Sequence, residues 1–259
     1  MITSTHNSRI KFVRALSQRK TRQKEGRFSI EGARLIEDAL QADVRPDFAL
    51  FTATADARHI SLLRRLADLN IEAIEVSPEV MAACSDTETP PGLLAVLPFP
   101  RLDIPARPTL LLVADALRDP GNLGTLLRSA AAAKVDAVLL APETVDTFNP
   151  KVVRGAMGAH FRVPIAADDW EAIEKRVKGM EVWGAAANAE SLYTRIDWTR
   201  PCALIIGGEA EGISDSASGL ATGRARIPLA RGVESLNASV AGSVILFEIV
   251  RQRGMKRNT

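Results

Sequence analysis

The side chains best suited to chemistry in this sequence are Asn122, Arg128, Glu209, Ser235 and Asn237, each in or beside a glycine-bearing stretch. Arg128 closes the run Asn122-Leu-Gly-Thr-Leu-Leu-Arg and stands alone among Leu, Ala and Ser. A planar guanidinium in that company suits an anion such as phosphate, which it can hold with two parallel N–H donors. Asn122, behind the Pro120-Gly121 turn signal, reads by itself as the N-cap of the helix that carries Arg128. Glu209 lies in Gly207-Gly-Glu-Ala-Glu-Gly212, where a carboxylate fits a cationic ligand or an arginine that needs orienting; Glu211 reads as an exposed acid. Ser235 and Asn237 follow the apolar run Ile227 to Leu229 and a polar loop, and either can cap the helix that begins near Val240.

Other chemistries fit poorly. The Gly207–Gly212 loop is not a dinucleotide fingerprint, because the middle glycine of that pattern would fall at Glu209, whose charge repels a pyrophosphate. That weakens the reading as a nucleotide-dependent dehydrogenase. No Walker-type phosphate loop and no serine-nucleophile elbow occurs. His6, His59 and His160 are scattered without metal-ligand or triad company, so no metal is expected. Cys84 and Cys202 are far apart and imply a reducing, cytoplasmic setting without disulfides.

The elements that must position these residues alternate. Residues 8–20 place Ile10, Val13 and Leu16 at helical spacing among basic side chains. Strands are expected at 28–30, 47–52, 71–76 and 93–97, with helices at 32–42, 60–69 and 78–84, giving a small α/β domain over 1–97. Four prolines between Pro98 and Pro108 then enforce an extended linker. The second domain, 109–259, opens on Thr109-Leu-Leu-Leu-Val-Ala, a run suited to a strand buried on both faces. Strands at 137–141, 162–165, 181–186, 202–206 and 224–229 alternate with helices at 124–134, 151–157 and 170–177, and a terminal helix follows. That order argues for a parallel, doubly wound sheet, with the polar loops gathered at strand ends.

The chain has 259 residues, is 46% hydrophobic and 25% charged, and carries a formal net charge of +2. No run is long enough to span a bilayer. The charge is uneven: the first 27 residues hold eight Lys and Arg between Arg9 and Arg27 against the single acid Glu25. Such clustering suits a polyanionic partner or simply a solvated helix face. This basic start resembles a transit peptide in composition but runs directly into Phe28-Ser-Ile-Glu-Gly, so it is read as part of the fold.

The three stretches resemble the signature motifs of the SpoU/TrmH family of RNA 2′-O-ribose methyltransferases, within the knotted SPOUT class. The matching segments are Asn122 to Ala130, Ile205-Ile-Gly-Gly-Glu-Ala-Glu-Gly-Ile-Ser214, and Ile227 to Ala241, in the family's order and spacing. Asn7-Ser-Arg-Ile-Lys, Glu31-Gly-Ala-Arg and Thr87-Glu-Thr-Pro-Pro-Gly-Leu-Leu-Ala-Val resemble the substrate-binding domain of its ribosomal-RNA branch. The resemblance implies a C-terminal deep trefoil knot, a homodimer, and S-adenosylmethionine held in the knot. It further implies that Gly207, Ile227 and Leu236 contact the cofactor, with Gly208 and Leu229 nearby. Arg128 would be the central catalytic residue, supported by Asn122, Glu209, Ser235 and Asn237. A transfer-RNA ribose methyltransferase and a noncatalytic RNA-binding or ribosome-assembly factor are the alternative readings.

Overall fold

The structure is a computed structural model and describes residues 1–53, 56–208 and 212–255. It divides into two compact units, Met1–Arg101 with Phe148–Phe161, and Leu102–Thr147 with Arg162–Thr259.

The first unit runs α1 (Ser8–Ala15), α2 (Arg19–Glu25), β1 (Arg27–Glu31), α3 (Ala33–Gln41), β2 (Phe48–Phe51), α4 (Ala57–Asp68), β3 (Glu72–Glu75), α5 (Pro78–Cys84) and β4 (Leu93–Pro98). The strands form one sheet in the order β1-β4-β2-β3, with β4 antiparallel to both neighbours and β2 parallel to β3. Alternation divides its side chains between two cores. Phe28, Ile30, Leu93, Ala95 and Leu97 meet α3 and α4 on one face. Leu50, Leu94 and Val96 meet Ile10, Val13 and Leu16, with Val80 and Met81 of α5, on the other. The single helix expected over 8–20 is two helices. Gln18 is extended at φ −90°, ψ 130°, and the buried Arg22 donates through Nη1 to the carbonyls of Leu16 and Ser17, at 2.7 Å each. Those two bonds satisfy carbonyls that the helix end leaves over.

The second unit and the excursion from it continue as β5 (Leu110–Asp115), α6 (Pro120–Ala132), β6 (Ala137–Leu140), α7 (Pro150–Ala156), β7 (Ile165–Ala167), α8 (Trp170–Val177), β8 (Glu181–Ala185), β9 (Ser191–Leu192), β10 (Cys202–Gly207), α9 (Asp215–Leu220), β11 (Gly223–Arg226) and α10 (Ala238–Met255). Seven strands pair in the order β7-β6-β5-β10-β8-β11-β9, all parallel. Every residue of β5 and β10 is buried, as their unbroken apolar sequence requires. The chain leaves β5 outward to β6 and β7, then returns to lay β8 and β9 on the other side before β10 fills the place between β5 and β8. The junction of β5 and β10 is therefore a topological switch point, where ligands of open α/β sheets bind beyond the strand ends. The α10 helix packs closely on α6 and β10: a Cβ added at Gly242 would come within 2.6 Å of Leu126 Cδ1 and 3.1 Å of Ile206 Cγ1. Among the described residues no helix is long and apolar enough to cross a membrane.

Three sequence expectations are corrected. The strand expected at 162–165 lies at Ile165–Ala167, and the one expected at 224–229 ends at Arg226. Pro228 has no N–H for the ladder, so Ile227 to Leu229 leave the sheet. The segment Phe148–Phe161, read as part of a continuous second domain, belongs to the first unit. Val153 and Phe161 join the core around Phe28, and the Phe148 ring stacks on Phe99 at 4.0 Å between centroids.

Candidate active site

The site grows from two helix starts. Asp119, not Asn122, caps α6: its Oδ1 accepts from the Asn122 N–H at 2.8 Å, and Pro120 fills the first helical position. Asn122 thus lies inside the first turn, where its side chain is buried. At α10 the cap is Asn237 and not Ser235. Its Oδ1 accepts from Ser239 N–H at 3.0 Å, Ser239 Oγ at 2.7 Å and Val240 N–H at 3.2 Å. With the oxygen fixed by three donors, the amide nitrogen must face the other way. There Asn237 Nδ2 donates to Asn122 Oδ1 at 2.7 Å. One turn further, Ser129 and Ser243 bond through their hydroxyls at 2.7 Å.

Beyond the ends of β8, β10 and β11 lies a cavity of about 340 Å³. Gly207, Gly208, Ile227, Leu229, Ser235 and Leu236 all line it, with Ala185 to Ala187 and Ile245. Among the described residues, no charged side chain reaches its wall. The glycine loop that borders it is tied at both feet. Gly212 N–H donates to Gly208 O at 3.1 Å. The carboxylate of Asp115, buried at the end of β5, accepts from Ser214 N–H at 2.6 Å. A Cβ at Gly207 would collide with the backbone of Gly212 and Ile213, so only glycine lets the two feet approach this closely.

Asn122 and Asn237 are joined beside this cavity's helix. Arg128 stands exposed on α6 and makes no hydrogen bond or ion pair among the described residues. Glu209 and Glu211 lie outside the described residues. His160 is buried in the first unit with its ring 5.4 Å from that of Phe148, and takes no part in the site. Among the described residues no group of His, Cys, Asp or Glu could hold a metal ion. Sequence reasoning missed Asp115. Its signal was a single acid at the end of an otherwise apolar strand, a charge that burial forbids unless it has a partner.

The family model described as SpoU rRNA Methylase matches residues 109–247, and an MRM3-like substrate binding domain model matches residues 7–95. An uncharacterized tRNA/rRNA methyltransferase, slr1673, of Synechocystis is 35% identical over 97% of this chain and 94% of its own length. The 23S rRNA (guanosine(2553)-2′-O)-methyltransferase RlmP of Bacillus subtilis is 32% identical, over 96% of this chain and 98% of its own. The crystal structure of the SpoU methyltransferase AviRb from Streptomyces viridochromogenes, in complex with the cofactor AdoMet, superposes with a TM-score of 0.87 at 29% identity. That match covers 96% of this chain and 98% of that one. With motifs, sheet order and full-length similarity in agreement, this chain belongs to the SpoU rRNA methylase family.

Proposed function

We propose that the protein methylates a ribose 2′-hydroxyl of large-subunit ribosomal RNA, with S-adenosylmethionine as methyl donor. The observation that carries this reading is the cavity beyond β8, β10 and β11, whose described lining residues are uncharged and which is bordered by the helix whose cap holds Asn122 in place. At about 340 Å³ it falls within the range of small-molecule sites, and its Ala and Leu walls suit an adenine. The bound cofactor supplies a methyl group on a cationic sulfur, which departs neutral. Apolar and small lining residues, among the described ones, leave the cavity's shape to the backbone and exclude water around the cofactor. Gly207, Ile227 and Leu236 would hold it, with Gly208 and Leu229 beside them.

Because the leaving group needs little help, the protein's task is alignment of the ribose oxygen, whose proton passes to solvent water as the O–C bond forms. A guanidinium is a donor and offers no acceptor, so Arg128 acts as a clamp on the target phosphate and stabilises developing oxyanion charge. Glu209 orients that guanidinium. Asn122, held by Asn237, and Ser235 at the cavity rim place the ribose. The first unit presents its basic helices to RNA, and its match to an MRM3-like substrate binding domain, with relatives named as rRNA methyltransferases, favours ribosomal over transfer RNA.

The α10 helix leaves Val240, Phe247 and Val250 exposed, Phe247 by 50%. An apolar stripe of this kind on an end helix supports a homodimer packed through α10. The family further implies that the segment from β11 into α10 is threaded as a trefoil knot, while the two widely spaced cysteines and the similarity to a bacterial enzyme support a cytoplasmic setting. The test is incubation with labelled S-adenosylmethionine and unmodified total RNA, then alkaline digestion. Label at one alkali-resistant position is the expected result. Cofactor binding without transfer to any RNA or ribosomal particle would overturn the proposal.

A further inference from the structure

The first unit contains a second cavity, of about 500 Å³, between α1, the end of α5 and the edge strand β1. Its origin lies in the sheet. The helices α1 and α5 cover Leu50, Leu94 and Val96 on the inner strands. On that same face β1 offers the polar side chains Arg27, Ser29 and Glu31, because Phe28 and Ile30 point to the opposite core. The covering helices therefore stop short of the edge and leave an open recess floored by Ser29.

Hydrogen bonds hold the sides of the recess. Glu31 accepts from Ser85 Oγ at 2.6 Å and from Asp86 N–H at 3.3 Å, and Ser85 Oγ also bonds Thr87 Oγ1 at 2.8 Å. Arg22, through the carbonyls of Leu16 and Ser17, fixes the turn that carries Gln18. Around it the basic residues fall into two groups. Arg9 pairs with Glu72, Arg27 with Asp47, and Arg22 with carbonyls, so these three serve the fold. Lys11, Arg14 and Gln18 line the recess, are exposed, and make no side-chain hydrogen bond or ion pair among the described residues. Lys11 and Arg14 stand one turn apart on α1 and Gln18 lies in the extended link to α2, and the same recess is lined by Ser29 and Ser85, with Pro150 as an apolar surface.

We propose that this recess binds a single unpaired nucleotide of the RNA substrate and thereby selects it. The proposal rests on the RNA-methyltransferase reading above and locates part of its specificity outside the methyl-transfer cavity. Lys11 and Arg14 hold the backbone phosphate. The Gln18 amide, both donor and acceptor, reads the base edge with the Ser29 hydroxyl, and the ring lies against Pro150. Proteins read RNA sequence mainly at such splayed-out bases, since the grooves of paired RNA conceal theirs. A recess of this volume accepts one base and its sugar but excludes a duplex.

The test uses the full-length protein and fluorescent single-stranded ten-nucleotide homopolymers of A, C, G and U, with a duplex as reference. The double variant Lys11→Gln/Arg14→Gln is expected to bind all single strands about tenfold more weakly and to lose about 0.7 from the salt slope for each phosphate contact. Lys20→Gln, which lies outside the recess, should lose clearly less. Gln18→Ala is expected to flatten the preference among the four homopolymers, and in methylation assays to raise KM for RNA with kcat held. Unchanged base preference in Gln18→Ala, or equal losses in Lys20→Gln and the double variant, would refute the recess. S-adenosylmethionine affinity, measured in parallel, must stay at the wild-type value in all variants. Wild-type protein that binds neither cofactor nor RNA would instead sink the parent reading.

Discussion

Asn237 donates through Nδ2 to Oδ1 of Asn122 at 2.7 Å, joining the first turns of two helices that are 115 residues apart in sequence. One amide does two jobs, since its oxygen caps α10 and its nitrogen orients Asn122. The two can be separated. Asn237→Ala removes both and should cost about 1 kcal/mol of stability through the lost cap. Asn237→Asp keeps a cap acceptor, which the helix dipole favours, but loses the donor to Asn122. Its melting temperature should therefore stay near wild type while methyl transfer falls. Wild-type methyl transfer in Asn237→Asp at unchanged melting temperature would show that the contact to Asn122 carries no separate function.

Much of this arrangement was legible in the sequence. The apolar runs of β5 and β10 announce strands buried on both faces, and the three glycine-bearing stretches mark the loops beyond them. Six named residues, from Gly207 to Leu236, line one cavity because each follows a strand whose direction the alternating pattern fixes. Local signals could not decide between competing caps. Both Asp119 and Asn122 are good N-caps, and the choice fell to Asp119 because Pro120 after it fits the first helical position. The link from Asn122 to Asn237 spans the fold and leaves no local trace. Nor does the sequence say that α7 packs against β1, since a short amphipathic helix fits either sheet until the aromatic partners Phe28 and Phe99 are known.

Arg128 is exposed and unengaged among the described residues, so replacing it should leave the fold intact. Arg128→Lys retains the charge but not the planar pair of donors. A methyl-transfer rate lower by roughly 10²-fold is expected, in line with loss of one oxyanion-stabilising donor. Cofactor affinity and melting temperature should not move. Near-normal turnover would remove the requirement for a bidentate group.

Gly207→Ala tests the close approach of the glycine loop's two feet. The added Cβ meets backbone, which cannot swing aside as a side chain would. The variant should lose about 1–3 kcal/mol of stability, typical of forced overpacking. Because Gly207 lines the cavity, S-adenosylmethionine affinity should drop as well, measurable by calorimetry. A variant that melts and binds like wild type would mean that the loop's feet are not tied as described.

Asp115→Ala should act through the same loop from the opposite side. The carboxylate is buried and receives the Ser214 N–H, so truncation strands a donor at the start of α9. A stability loss of about 1–3 kcal/mol is expected for the unsatisfied group. Asp115→Asn retains an acceptor oxygen and should recover most of it. Equal destabilisation by both substitutions would point to the charge itself, not to the hydrogen bond.

Cys202 begins β10 and is fully buried, and burial pushes its thiol up to about 11, with the nearby Arg253 guanidinium opposing the shift. Cys84, only partly buried, is likewise pushed up to about 11 by desolvation. Both thiols should therefore react slowly with alkylating reagents at pH 8. The raised folded value fixes the sign of the linkage. The folded state favours the protonated thiol, so this contribution is complete below the unfolded value of about 8.5 and is lost as pH rises toward 11. Urea-unfolding midpoints should thus decline between pH 8.5 and 11, and decline less in Cys202→Ala, which has no thiol to titrate at that position. Identical pH profiles for the variant and the wild type would show that the buried thiol at the foot of β10 has no part in the alkaline loss.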